Sequence, residues 1–311
     1  MDLSTSEKSG VLKAAVKTQS ASDAAAATPR QDHVKPHLPS LPLVTIKPTT
    51  ARSALDLRDL WAYRELLYFL MLRDIKVRYK QTVLGVVWVV MQPLLTTFIF
   101  TIFLGMLARV PSGGVPYPLL VFAGLMPWSF FSSSVVGSGS SLVSNANLIT
   151  KVYFPRLIVP MAAVGGRLVD FGIAFLILAA MMLYYRVGLT WNILALPGLV
   201  VLTTLLALSL GMFISALNVK YRDVGVILPV LMQLWMFVSP VLYPLSLVPE
   251  NWRMLYSLNP LVGVIVSFRA AVLGEPFNLP ALAVTCVFTL VMLFYSAYTF
   301  RRVERSFADV I

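Results

Sequence analysis

Several of the residue types that carry most enzyme chemistry are scarce in this chain. Its 311 residues hold one cysteine, two histidines and 14 Asp+Glu against 25 Lys+Arg. The cysteine, Cys286, falls inside the last apolar run, so no disulfide framework and no cysteine-built metal site can form. His33 and His37 are four apart, but Pro36, Pro39 and Pro42 oppose a shared helical face there, and no metal role is expected. From the first apolar run to the last, the acids are Asp170, Asp223, Glu250 and Glu275, too scattered for a carboxylate pair. There is no Ser-His-Asp set and no HExxH, which argues against a membrane enzyme. No G-x-x-x-x-G-K-[ST] stretch occurs, so ATP is not cradled by that route and no cofactor is expected on this chain. Ser138, Ser140 and Ser141 alternate with glycines without a lysine and read as small-residue helix packing. No apolar run follows Met1, so no cleaved secretory signal is expected.

What the chain has in quantity is apolar sequence. Hydrophobic residues make up 58% and charged residues 13%, and mean hydropathy is +0.79, far too apolar for one soluble domain. The net charge of +11 raises nucleic acid as a partner. The basic residues flank apolar runs instead of forming one polar surface, so anionic lipid is the better partner and nucleic acid is not expected.

Crossing ~30 Å of hydrocarbon takes about 20 helical residues. Six windows meet or approach that length: Val83–Leu107, Tyr117–Val136, Leu168–Tyr185, Ile193–Leu217, Val226–Leu247 and Leu279–Phe300. The expected fold is an all-α membrane protein of six transmembrane helices. Residues 1–55, rich in Ala, Ser, Thr, Lys and Pro, cannot bury a core and are expected as a disordered cytoplasmic tail before a six-span domain at 56–311.

Lys and Arg placement sets the orientation. Lys151, Arg156, Lys220, Arg222, Arg301, Arg302 and Arg305 fall on the side of the N-terminus, with the block Arg73, Lys76, Arg78 and Lys80. Both termini are therefore expected to be cytoplasmic. That block belongs to the stretch Leu66–Pro93, an interfacial helix feeding the first span. At 100° per residue Trp61, Tyr68, Leu72, Ile75 and Tyr79 share an apolar stripe, and Arg73, Lys76 and Lys80 share the opposite face.

Two charges complicate the third span. Arg167 or Asp170 at a helix centre would each oppose insertion by roughly 2.5–3.5 kcal/mol, so the span is expected to slide outward. Arg167 is then at the cytoplasmic interface, paired with Asp170 at i,i+3. Between spans two and three, the small residues from Gly137 are expected to end the second helix, and Asn147–Tyr153 to form a short amphipathic helix closed by Pro155 and Pro160. The fifth window is interrupted by Pro229, Pro240 and Pro244. Leu261–Leu273 is too short to cross and suits a re-entrant or interfacial helix on the outer side, with Asn259 as N-cap and Pro260 in its first turn. Trp88, Trp128, Phe130, Phe131, Trp235, Phe237, Tyr243 and Tyr256 lie on or beside spans; rings stack on sugar faces, but interface anchoring and core packing are their default roles.

Six segments in this order, LRDIKVRYKQTVLGVVWVVMQP, NANLITKVYFPRLIVP, NVKYRDVGVILP, SPVLYP with its following VP, SLNP and RRVERSFADVI, resemble the permease subunits of polysaccharide-export ABC transporters. The resemblance covers roughly residues 57–311. That family exports O-antigen, teichoic acid or capsule, and O-antigen is the first expectation here. The resemblance implies a homodimer in a bacterial inner membrane, served by two copies of a separate ATPase that binds ATP and Mg. It implies a glycan on undecaprenyl diphosphate as substrate. ATPase-coupling roles fall on Asn145, Asn147, Lys151, Tyr153, Phe154 and Pro155, and on Tyr221, Arg222 and Asp223. Glycan-channel candidates are Trp88, Trp128, Phe131, Trp235, Phe237 and Tyr243, with a periplasmic gate at Asn259 and Pro260. Arg73, Lys76, Arg78 and Lys80 are candidates for attracting the carrier diphosphate. Export of a drug or small lipid, and a membrane enzyme of glycan assembly, are the alternatives.

Overall fold

The computed structural model describes residues 57–80 and 85–304. The disordered-tail expectation for residues 1–55 and the terminal Arg305 lie outside the described residues. Every regular element among the described residues is helical. In chain order these are α1 (Leu57–Ala62), α2 (Arg64–Lys80), α3 (Gly85–Phe100, continued as a π-helical turn Thr101–Leu107), α4 (Tyr117–Ser144), α5 (Ala146–Lys151), α6 (Ile158–Tyr184), α7 (Leu196–Lys220, entered through a 3-10 turn from Trp191), α8 (Asp223–Val238), α9 (Glu250–Ser257), α10 (Pro260–Leu273) and α11 (Leu279–Glu304).

Five helical stretches are long and apolar enough to cross a membrane: Val87–Leu107, Tyr117–Ser144, Ile158–Tyr184, Trp191–Lys220 and Leu279–Glu304; α9 and α10, bent by 104°, could count as a sixth. The expected fifth span is cut short. α8 is apolar but has 16 residues, about 24 Å at ~1.5 Å each, because Ser239, standing before Pro240, is pushed to ψ 151 as residues before proline are.

Helix ends differ from the sequence expectation at two further places. α6 begins at Ile158 instead of Leu168, since Pro160 occupies its first turn, where a missing N–H costs nothing, and does not close the preceding segment. Arg167 and Asp170 therefore lie well inside a helix. α4 continues through the Gly-Ser stretch to Ser144 because that stretch is a packing surface: a Cβ at Gly139 would lie 2.8 Å from Ile214 Cγ2 of α7, and one at Gly211 of α7 would collide with Ser138. Small residues let the α4 and α7 backbones approach closely.

α4 is the axis of the packing. In its most apolar window 78% of residues are buried, against 6% for Val87–Leu107. α6, α7 and α10 pack around it, and α11 closes on α7 and α10. α3 and α8 stay at the edge, with Trp88, Phe98, Val226, Val230, Leu234 and Phe237 exposed. α10 is packed into the chain: Leu261, Val264, Ile265, Phe268 and Ala271 are all buried. Its ends are those the sequence specifies, with Asn259 Oδ1 accepting from the Leu261 N–H at 3.1 Å and Gly274 at φ 76 terminating it,.

Candidate functional site

The α2 helix lies on α6. Its inward stripe is Leu67, Leu70, Met71, Asp74, Ile75, Arg78 and Tyr79, while Trp61 and Tyr68 are exposed. Of the stripe expected through Trp61, Tyr68, Leu72, Ile75 and Tyr79, the last three are half-buried and the first two exposed, and polar partners from α6 and from the end of α4 meet this helix. Gly165 of α6 makes room for it, since a Cβ there would lie 2.6 Å from Met71 Cε.

Asp170 is the first of those partners. Its two oxygens accept from Arg78 Nη1 and from the Tyr79 hydroxyl, and Arg167 Nη1 lies 3.6 Å away on the same helix. The expected Arg167–Asp170 pair is present, but Arg78 is the closer partner. Asp170 is thus shared between Arg167 on its own helix and Arg78 of α2, 92 residues away in sequence, so each charge carried by α6 has an ionic partner of opposite sign. Burial, then the adjacent Asp170 carboxylate, hold the Tyr79 phenol well above its ordinary pKa.

The second partner is Asn145, where α4 hands over to α5. Arg73 donates from Nη2 to Asn145 Oδ1 at 2.7 Å, and from Nε and Nη2 to Asp74 Oδ1 at 3.1 and 2.8 Å. Asn145 in turn donates from Nδ2 to the Ser141 carbonyl at 2.8 Å. Its own carbonyl accepts from Leu148 and Ile149, opening α5.

Between these contacts is a cleft of about 510 Å³ lined by Arg73, Arg78 and Arg167 together with Asp74, Ser140, Ser141 and Ser144; the three serine hydroxyls donate to carbonyls of their own helix. Lys76 and Lys80, singled out with the arginines from sequence, are exposed on the outer side of α2. Guanidinium forks are suited to a phosphate or diphosphate, which Arg binds through paired N–H groups.

Of the two connections expected to couple to a partner, the first leaves α4 at Asn145, a residue of the cleft lining. On the first, Asn147, Lys151 and Tyr153 are exposed, Pro155 is half-buried, and Phe154 is buried as the anchor. Tyr153 stands out at 75% exposure. On the second, Tyr221, Arg222 and Asp223 are exposed. Buried Asn218 fastens this turn to α4 by donating to the Gly139 carbonyl at 3.0 Å and accepting from the Gly225 N–H at 3.0 Å.

The aromatic candidates divide. Trp128 and Phe131 are buried in the core of the chain, with Phe131 edge-on to Trp235 at 5.6 Å. Trp88 and Phe237 are exposed on α3 and α8. Trp235 donates to Asn259 Oδ1 at 3.2 Å, so Asn259 caps α10 and holds α8 at once, with Pro260 buried behind it. Tyr243 meets the Tyr256 hydroxyl at 2.6 Å.

Sequence reasoning missed Asp74 and Tyr79, the three cleft serines, and Arg269. Arg269 carried a signal, a lone charge in the apolar run 261–273. It is 4% exposed and donates to the carbonyls of Leu120, Tyr243 and Val241 at 3.2, 2.8 and 2.6 Å.

Comparison with known proteins agrees with this arrangement of an all-helical membrane chain. The chain is 31% identical over 260 residues to the O-antigen export system permease protein RfbA of Myxococcus xanthus, covering 82% of this chain and 98% of that one. A Klebsiella pneumoniae protein of the same name is 26% identical over 250 residues, 79% and 95% of the two chains. The polysialic acid transport protein KpsM of Escherichia coli is 25% identical over 255 residues, 76% and 93%. Residues 65–273, which hold the cleft, both connections and α10, match the ABC-2 type transporter family. This chain belongs to the ABC-2 transporter membrane family.

Proposed function

We propose that this chain is the membrane subunit of an ATP-driven exporter that moves a polysaccharide, O-antigen first among the candidates, across a bacterial inner membrane on an undecaprenyl-diphosphate carrier. The observation that supports it best is the cleft between α2, α4 and α6. Arg73, Arg78 and Arg167 line it, a set suited to the carrier's diphosphate, and it opens beside the exposed connection at Asn145 that a soluble ATPase could grip. ATP and Mg bind on that separate subunit, two copies of which serve a homodimer of this chain. The two protomers meet along α3 and α8, whose outward apolar side chains are exposed among the described residues. Both termini are cytoplasmic, so the basic face of α2 meets the anionic inner leaflet.

Deletion of the chain tests this reading. Surface polysaccharide is expected to disappear while carrier-linked glycan accumulates in the cytoplasm, and an ATPase is expected to copurify with the tagged protein. Intact surface polysaccharide would refute the reading. An ATPase that copurifies while surface glycan stays normal would point instead to export of a drug or small lipid, and absence of any ATPase would favour a membrane enzyme.

A further inference from the structure

Arg73 belongs to the cleft and to the α4–α5 joint at the same time. Its Nη2 group is bonded to Asn145, the residue that ends α4 and opens α5. Its Nε and Nη2 groups are bonded to Asp74. Among the described residues its Nη1 takes no partner, and the side chain is 43% exposed. Asn145 is held at both ends of its amide, by Arg73 on one side and by the carbonyl of Ser141, itself a wall of the cleft, on the other. No other side chain among the described residues bonds the α4–α5 joint to α2.

We infer that the Arg73–Asn145 bond reports occupancy of the cleft to the α5 docking segment, making ATP hydrolysis by the partner depend on bound diphosphate. This rests on the carrier reading of the cleft given above. The chemistry sets the direction. Asn145 is Arg73's neutral acceptor, whereas a diphosphate presents ionised oxygens in the fork geometry that guanidinium prefers. A diphosphate bound between Arg73 and Arg167 draws Arg73 off Asn145. Asp74, ionised and adjacent, remains with Arg73 and keeps it on the cleft wall. The joint then keeps its Ser141 tether and loses its hydrogen bond to α2, while Ile149 of α5 stays in the apolar cluster that holds Leu70 of α2, so α5 pivots on that packing against the ATPase. Linkage requires the reverse as well: whatever ATP binding does to α5 changes affinity at the cleft by the same factor.

The experiment uses the complex of this chain with its ATPase in nanodiscs of phosphatidylethanolamine and phosphatidylglycerol, with undecaprenyl diphosphate as the probe. Binding and ATPase rate are measured on the same samples. In the wild type the probe is expected to raise the rate by a factor in the range typical of coupled sites, about 5-fold or more. In Asn145→Leu the probe still binds, but the ratio of stimulated to basal rate falls to about one, as coupling vanishes. Asn145→Asp, which offers Arg73 an ionised competitor, is expected to restore stimulation with its midpoint moved to higher probe concentration. This second variant carries the test if Asn145→Leu fails to hold the ATPase. Unchanged stimulation ratio and midpoint in both variants, with binding intact, would overturn the inference and leave the cleft reading standing. Undiminished probe binding in Arg73→Gln/Arg167→Gln would overturn the cleft reading itself, and this inference with it.

Discussion

Replacing Arg269 by Met tests whether one buried guanidinium holds the outer half of the molecule together. Arg269 reaches from α10 to the carbonyl of Leu120 on α4 and to the carbonyls of Val241 and Tyr243 in the irregular segment after α8. Leu120 is interior to α4, so its carbonyl keeps a helical partner. Val241 and Tyr243 are in no helix, and among the described residues Arg269 is the donor their carbonyls have. A buried carbonyl stripped of its donor costs about 1–3 kcal/mol, so two cost about 2–6. Relief from burying the charge offsets part of that, and a net loss of about 3 kcal/mol is expected, within the usual cost of breaking a buried charged network. At roughly 2–4 °C per kcal/mol for a chain this size, the thermal midpoint should fall by on the order of 10 °C. Fluorescence-detected size-exclusion chromatography of detergent-solubilised protein after heating reads it. Gly124→Ala strikes the same joint from the α4 side, because its Cβ would lie 2.5 Å from the Val241 carbonyl and 2.8 Å from Arg269 Nη2. The double variant should therefore lose less than the sum of the two singles. A midpoint for Arg269→Met within 2 °C of wild type, or strict additivity with Gly124→Ala, would refute the idea that this arginine is the brace; both thresholds follow from the same scale.

Gly263→Ala is expected to destabilise by about 1–3 kcal/mol through overpacking, since its Cβ would run into the Ala281 carbonyl and Thr285 Oγ1 of α11; the same heating assay checks it. Asp170→Asn leaves Arg78 and Arg167 without their shared carboxylate. All three side chains are 19–27% exposed, so solvent screens part of the loss, and a cost of about 1–3 kcal/mol is expected, with faster proteolysis of α2. If the protomers pair along α8, then in a Cys286→Ser background at least one single cysteine placed at Val226, Val230, Leu234 or Phe237 should give covalent dimers on mild oxidation. Leu176→Cys, on α6 and 69% exposed, should not; cross-linking no greater on α8 than at Leu176 would count against that pairing.

Membrane partition is a property of about 20 consecutive residues, and capping of four or five. The long apolar helices, their order, and the ends of α10 at Asn259, Pro260 and Gly274 were therefore legible in the linear sequence. So was the choice of Arg73, Arg78, Arg167 and Asp170 as residues to watch, because charge beside or inside an apolar run needs a reason. Tertiary structure decided what those residues touch. Pro160 reads alike as the end of one segment or the first turn of the next, and only packing of α6 against α2 and α4 selected the second. The Gly-Ser stretch reads as a helix stop until α7 comes to lie against it. The polar partners of α2 are Asp170, some 92 residues on, and Asn145, 72 residues on. Arg269 finds carbonyls 149, 28 and 26 residues away. Bonds at such separations leave no periodicity in any window of sequence, and they are the ones that build the cleft and join it to α5.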